Sequence, residues 1–252
     1  MMIFVGLFGL VWGQSRIVGG EVVTPYAYSW MANINWRYEH YCGGVFLGRR
    51  VLLTAAHCSK NAIADYEVEA HRHDIGLLPD EEDAQVLGAS RIIIHPKYYK
   101  SQSKNDIAVW HLDAEVAGLL EPIELASAGQ SLKPGSLVTA LGWGWDQAGG
   151  SFSDLLMKVN IPVANLQQCQ RVWRGLAKEI DASSQLCAAG QGGKDTCLGD
   201  SGGPLLKWVD KTPVLVGITS FGKPCANRNI PSIWTRVSYH LDFIHRNSIN
   251  SQ

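Results

Sequence analysis

Three short segments hold residue types suited to nucleophilic catalysis. Gly199-Asp200-Ser201-Gly202-Gly203-Pro204 sets a serine in a glycine-rich turn. Glycines let a backbone take unusual angles and approach a substrate closely. The amides of Gly199 and Ser201 can then converge on one oxygen, as an oxyanion hole requires. A serine elbow between a strand and a helix has the same G-x-S-x-G outline. Here Pro204 and the apolar pair Leu205-Leu206 read as strand, which weakens the elbow reading. Thr54-Ala55-Ala56-His57-Cys58 places a histidine at the end of an apolar run, beside a cysteine, and an imidazole titrates near neutrality. Asn105-Asp106-Ile107-Ala108-Val109 puts a carboxylate at the head of an apolar strand, where a lone aspartate usually serves a turn.

The elements that must position these groups read as β. Short runs rich in branched and aromatic residues occur at 45–47, 50–54, 91–94, 107–110, 137–141, 213–218 and 232–237, punctuated by Gly, Pro, Asn and Asp. Many short strands with frequent turns point to barrels or a sandwich. Two segments read helical. Asn165 is placed to cap a helix with Gln168 at capping-box spacing, and Leu166, Cys169 and Val172 or Trp173 share one face. After Ser238, Leu241, Ile244 and Tyr239 or Phe243 form a second stripe. The run Asp80-Glu81-Glu82-Asp83 reads as a solvated loop, and the stretch 113–135, with Pro122, Gly129, Pro134 and Gly135, as the boundary between two halves.

Composition narrows the function. Of 252 residues, 46% are hydrophobic and 18% charged, which suits a globular core. Twenty-two basic against 23 acidic residues leave no basic field for phosphates, so nucleic-acid binding loses its footprint. The six cysteines form no C-x-x-C pair, which argues against a zinc ribbon. The apolar run 3–12 is too short to span a bilayer and has the length of a secretory signal core. Cleavage after Gly13 makes 1–13 the signal, and secretion favours disulfides. No second long apolar run suggests a membrane anchor.

Six ordered segments together resemble the chymotrypsin/trypsin-like serine proteases: Arg16-Ile17-Val18-Gly19-Gly20, Cys42-Gly43-Gly44, Thr54–Cys58, Asp106-Ile107-Ala108, Gly142-Trp143-Gly144 and Asp195–Pro204. The resemblance implies an all-β fold of two six-stranded antiparallel β-barrels, about 28–120 and 130–237, a C-terminal helix at about 238–248, and an active site between the barrels. It implies Ser201 as nucleophile, His57 as general base and then acid, and Asp106 as the group that holds the imidazole tautomer. It places the oxyanion hole at the Gly199 and Ser201 amides and a hydroxyl on the triad aspartate at Ser220. Residues 14–16 match an activation propeptide. Cleavage at Arg16-Ile17 frees an ammonium that pairs, in the family, with the aspartate before the serine, here Asp200. His40 matches a position that can hold that aspartate in the precursor, and reads equally as an exposed loop histidine. The implied disulfides are Cys42–Cys58, Cys169–Cys187 and Cys197–Cys225.

The resemblance also implies substrates. Asp195 lies at the floor of the specificity pocket, with Thr196 beside it, and a carboxylate there pairs with Arg or Lys at the cleaved position. Ser232 stands where Gly is usual and narrows the pocket. Trp234 replaces Tyr, Phe221 replaces Trp, and Gly222 is kept for pairing with an extended substrate. The expected protein is a secreted, monomeric endopeptidase acting on proteins or peptides and met by protein inhibitors, without nucleic acid, membrane or cofactor. The alternatives are a catalytically silent homologue that binds, or a protease of chymotrypsin-like preference. The stretch 69–84 corresponds to the calcium loop of some trypsins, with calcium as a weak expectation and His71-x-His73 as surface histidines rather than a zinc pair.

Overall fold

The strand-forming runs pair into two sheets, one from each half of the chain, and each curls into a barrel-like half. A computed structural model of the chain describes residues 20–118, 120–121, 123–145, 151–189, 199–223 and 229–248. The signal and propeptide expected at 1–16 lie outside them, as do Ile17, Asp195, Thr196, Cys197 and Cys225.

The first sheet contains β2 (Met31–Trp36), β3 (Glu39–Gly48), β4 (Val51–Thr54), β5 (Tyr66–Ala70), β6 (Gln85–Leu87), β7 (Ala89–Ile94) and β8 (Ala108–Leu112), ordered β6-β5-β2-β3-β4-β8-β7. β6 and β7 are one strand interrupted at Gly88. Its first part pairs with β5 and its second with β8, which closes the barrel from six strand paths. The second sheet contains β1 (Glu21–Val22), β9 (Glu124–Leu125), β10 (Leu137–Gly142), β11 (Met157–Pro162), β12 (Gln185–Ala188), β13 (Pro204–Val209), β14 (Thr212–Phe221) and β15 (Ser232–Arg236). Six of these form the run β11-β10-β13-β14-β15-β12, and a bridge between Val163 and Ala188 joins its ends. The two-residue strands β1 and β9 are additions; β9 pairs in parallel with β14 and β1 antiparallel with β11.

Burial follows from the composition of these strands. β4 and β8 are buried along their whole length, and Trp110, Trp143 and Trp234 are among the largest fully buried side chains. Each indole and its neighbours remove a large apolar area from water, at about 25 cal/mol per Å². Two helices complete the fold. α1 (Leu166–Gly175) starts where expected: the Asn165 side chain accepts from the Gln168 amide at 3.0 Å, and Cys169 and Trp173 face the core. α2 (Leu241–Ser248) buries Phe243 and Ile244, while Tyr239 is exposed, which settles that stripe on Phe243. No helix among the described residues is long and apolar enough to cross a membrane.

The barrels meet along glycine. A Cβ on Gly43 of β3 would come within 3.1 Å of the Gly203 Cα, so the two backbones touch there. The Gly43 amide donates to the Ser201 carbonyl at 2.8 Å across this seam.

Candidate active site

The seam brings the predicted catalytic groups together from both halves. His57 lies in a 3-10 turn (Ala56–Cys58) directly after β4, and the Cys42–Cys58 disulfide ties that turn to β3. Asp106 sits just ahead of β8 and is 1% exposed. Its carboxylate is fully engaged. Oδ1 accepts from the His57 amide at 2.9 Å, and Oδ2 lies 2.8 Å from His57 Nδ1 and accepts from Ser220 Oγ at 2.5 Å. The Thr235 hydroxyl donates to the Asp106 carbonyl at 2.8 Å. A buried carboxylate without such donors would carry a large desolvation cost. With Nδ1–H directed at Asp106, the other ring nitrogen is left as the basic one.

Ser201 occupies the turn before β13. Gly202 has φ +78°, and a side chain there would run into Thr54 and the Gly43 carbonyl, so this turn requires glycine. The Gly202 amide donates to the Thr219 carbonyl, and Gly203 to that of Asp200, both at 2.9 Å. Among the described residues the Ser201 hydroxyl makes no hydrogen bond to His57. Such contacts often close only around substrate.

The family motif Gly142-Trp143-Gly144 acquires a physical reason. Asp200 is fully buried, the Gly144 amide donates to its Oδ1 at 2.9 Å, and a Cβ at Gly142 or Gly144 would collide with the carboxylate. His40 is neither an exposed loop residue nor a partner of Asp200. It lies half-buried on β3, with Nδ1 2.6 Å from Asn33 Oδ1 and Nε2 3.0 Å from the Gly199 carbonyl. Burial pushes its pKa down to about 4. The neutral ring therefore has one N–H for two acceptors.

Phe221 ends β14 directly after Ser220, and Gly222 follows it. Ser232 is buried on β15, and its Oγ would stand 2.8 Å from a Cβ on Gly222, so the two residues lie against each other. Cys169–Cys187 joins α1 to β12.

The stretch 69–84 does not fit calcium. The Arg72 guanidinium lies between two buried carboxylates, with Nε 3.3 Å from Glu69 Oε2 and 3.4 Å from Glu82 Oε2. Nη2 donates to the carbonyls of Asp74 at 3.0 Å and Leu77 at 2.7 Å. Carboxylates and backbone carbonyls are the oxygens a calcium ion takes, and here an internal cation has taken them. Glu82 thereby departs from the solvated reading of the 80–83 run: its side chain is 4% exposed and accepts from the amides of His73 and Asp74. His73 is also buried rather than on the surface, and His71 contacts the Ala117 carbonyl.

Comparison with known proteins agrees with this geometry. The family model for Trypsin matches residues 17–244. The chain belongs to the trypsin family. It is 32% identical over 234 residues to a trypsin of Phaedon cochleariae, covering 91% of this chain and 87% of that protein. It is 30% identical over 256 residues to phenoloxidase-activating factor 1 of Holotrichia diomphalia, covering 92% of this chain and 70% of the relative. Membership of the trypsin family makes this a serine protease homologue whose relatives act on proteins.

Some of the site has no signal in the family motifs. Thr235 is an ordinary strand residue by sequence, and the Asn33–Glu69–Arg72 cluster depends on the pairing of β2 with β5. In principle the alternating Asn33-Ile34-Asn35 offered a hint, since amides on one face of a buried strand need partners.

Proposed function

We propose that the chain is a secreted serine endopeptidase that cleaves after Arg, and less well after Lys, through an acyl-enzyme. It is made as a precursor activated at Arg16-Ile17. The observation that carries this reading is the closed His57–Asp106–Ser220 set beside the Ser201 turn.

In this reading His57 removes the Ser201 proton as Oγ attacks the scissile carbonyl. A hydroxyl is a weak nucleophile without such a base. His57 then returns the proton to the leaving amine. Asp106 keeps Nδ1 protonated and stabilises the imidazolium. The Gly199 and Ser201 amides receive the oxyanion, where one such donor is worth about 10²–10³ in rate. Water repeats the sequence on the ester. Asp195 supplies the charge that pairs with a basic side chain, and Ser232 lying against Gly222 gives a slot suited to the planar Arg fork.

The test is kcat/KM on matched peptides differing only in Arg, Lys, Phe or Ala at the cleaved position, with Ser201 labelling by an organophosphonate in parallel. Arg should lead. Phe equal to Arg would remove the basic preference, and an unlabelled, inactive cleaved chain would favour the silent binding homologue.

A further inference from the structure

A lysine ammonium lies on the aromatic ring that follows Ser220. Phe221 packs edge-on against Trp173 of α1, with ring centroids 5.1 Å apart. Lys178 Nζ stands 3.6 Å from the centroid of the Phe221 ring. The same ammonium donates to Ser103 Oγ at 3.1 Å. A cation over an aromatic face is attracted by the ring quadrupole, but that attraction leaves the positive charge unneutralised. Among the described residues, no carboxylate lies within ion-pair distance of Lys178.

The lysine is held in place. Its amide donates to the Trp173 carbonyl at 2.9 Å, closing the turn after α1. Its neighbour Glu179 pairs with Lys104 at 2.8 Å, and the Glu179 amide donates to Gln102 Oε1 at 2.9 Å. Gln185 Nε2 donates to the Ser103 carbonyl at 3.1 Å. Residues 102–104 of the first half and 178–185 of the second are thus tied together across the two halves. Lys104 is neutralised within this clasp; Lys178 is not. Partial burial lowers the Lys178 pKa, and the nearby Asp106 opposes that shift. Burial and then the charge of Lys100 lower the pKa of the exposed Lys60.

A peptide added along Ser220-Phe221-Gly222 as an extended strand alternates its side chains between two faces. Its P2 and P4 side chains, counted back from the scissile bond, share one face of that strand and P3 takes the other. We propose that the P2/P4 face meets the Phe221 ring and that Lys178 is a specificity-determining residue that selects an acidic side chain there. The inference rests on the protease reading above. A substrate carboxylate supplies the counter-ion that the partly desolvated ammonium lacks.

The experiment uses the activated full chain and peptides with Arg at P1, carrying Glu, Ala or Lys at P4, P3 or P2. Glu at P4 or P2 should exceed Lys by about tenfold in kcat/KM, with little preference at P3, and added salt should shrink the ratio. Lys178→Ala should bring the ratio near one, Lys178→Glu should invert it, and Lys178→Arg should retain it. A wild-type ratio within twofold, or an unchanged ratio in Lys178→Ala, overturns the proposal. The same peptides are also titrated against the Ser201→Ala chain by fluorescence anisotropy. If the wild-type chain hydrolyses nothing, the protease reading fails separately, and equal affinity for Glu and Lys peptides then rejects the Lys178 assignment.

Discussion

Ser220 Oγ donates to Asp106 Oδ2 at 2.5 Å, and this bond crosses from the second barrel to the first. It holds the carboxylate that orients His57 with a group from the half that carries Ser201. Replacing Ser220 by Ala removes a hydrogen bond to a charged acceptor, an interaction of about 1.5–3 kcal/mol. The expected result is a fall in kcat of about tenfold or more with KM little changed, read by steady-state kinetics. A loss confined to KM would place Ser220 in substrate binding alone.

Ser201→Ala should leave the fold intact and lower kcat by about 10⁴–10⁶. Unchanged circular dichroism beside absent turnover is the expected pair of readings. More than a tenth of the wild-type activity would remove Ser201 from the nucleophile's role.

Cleavage after Arg16 should switch activity on, with Asp200 as the acceptor for the new ammonium. The glycine-lined seat at Gly142 and Gly144 keeps that carboxylate buried. A free α-ammonium loses its proton near pH 8, and a neighbouring carboxylate keeps it protonated to higher pH. The contribution is therefore full at neutral pH and lost as pH rises through the elevated value. An Arg16→Gln precursor should stay inactive after treatment that activates the wild type, and the activated enzyme should decline in alkali.

Acid should destabilise the fold through its depressed histidines. Burial pushes both His40 and His95 down to about 4, against an ordinary 6.5. The unfolded chain then binds more protons between these values, so the stability present above about 6.5 is lost as pH falls toward about 4. The imidazole resonances of both residues, followed by NMR, should remain those of neutral rings at pH 5.5. Titration of either near 6.5 contradicts this.

Chelators should leave the melting temperature of the wild type unchanged, because Arg72 supplies the cation of the 72–82 loop. Arg72→Ala leaves two buried carboxylates without their partner, a loss of about 3–5 kcal/mol. Its melting temperature should drop by about 10 °C, and millimolar calcium should restore part of that in the variant only. Scanning calorimetry with and without calcium makes the comparison.

Much of this was legible in the residues. The branched runs at 50–54, 107–110 and 213–218 became strands because their pattern and punctuation agree, and Asn165 declared its helix through a local hydrogen bond. The meeting of His57 and Ser220 on Asp106 was legible through the motifs. Glu82 was not, because an acidic run reads as solvated unless the buried guanidinium that meets it is known, and Arg72 reaches it only through the fold of the loop. His40 was ambiguous for the same reason: the carbonyl it meets belongs to Gly199, on the other barrel. Contacts between distant segments depend on strand register, which local pattern does not encode.

The placement of the two described disulfides has a consequence for assembly. Cys42–Cys58 lies within the first half and Cys169–Cys187 within the second. Among the described residues, the halves are joined covalently only by the main chain. A polypeptide severed between 113 and 135 would keep both crosslinks, yet neither fragment would own a complete catalytic set. Mixing the fragments should regenerate hydrolysis in proportion to their association, so turnover becomes a titration of how well one barrel docks on the other.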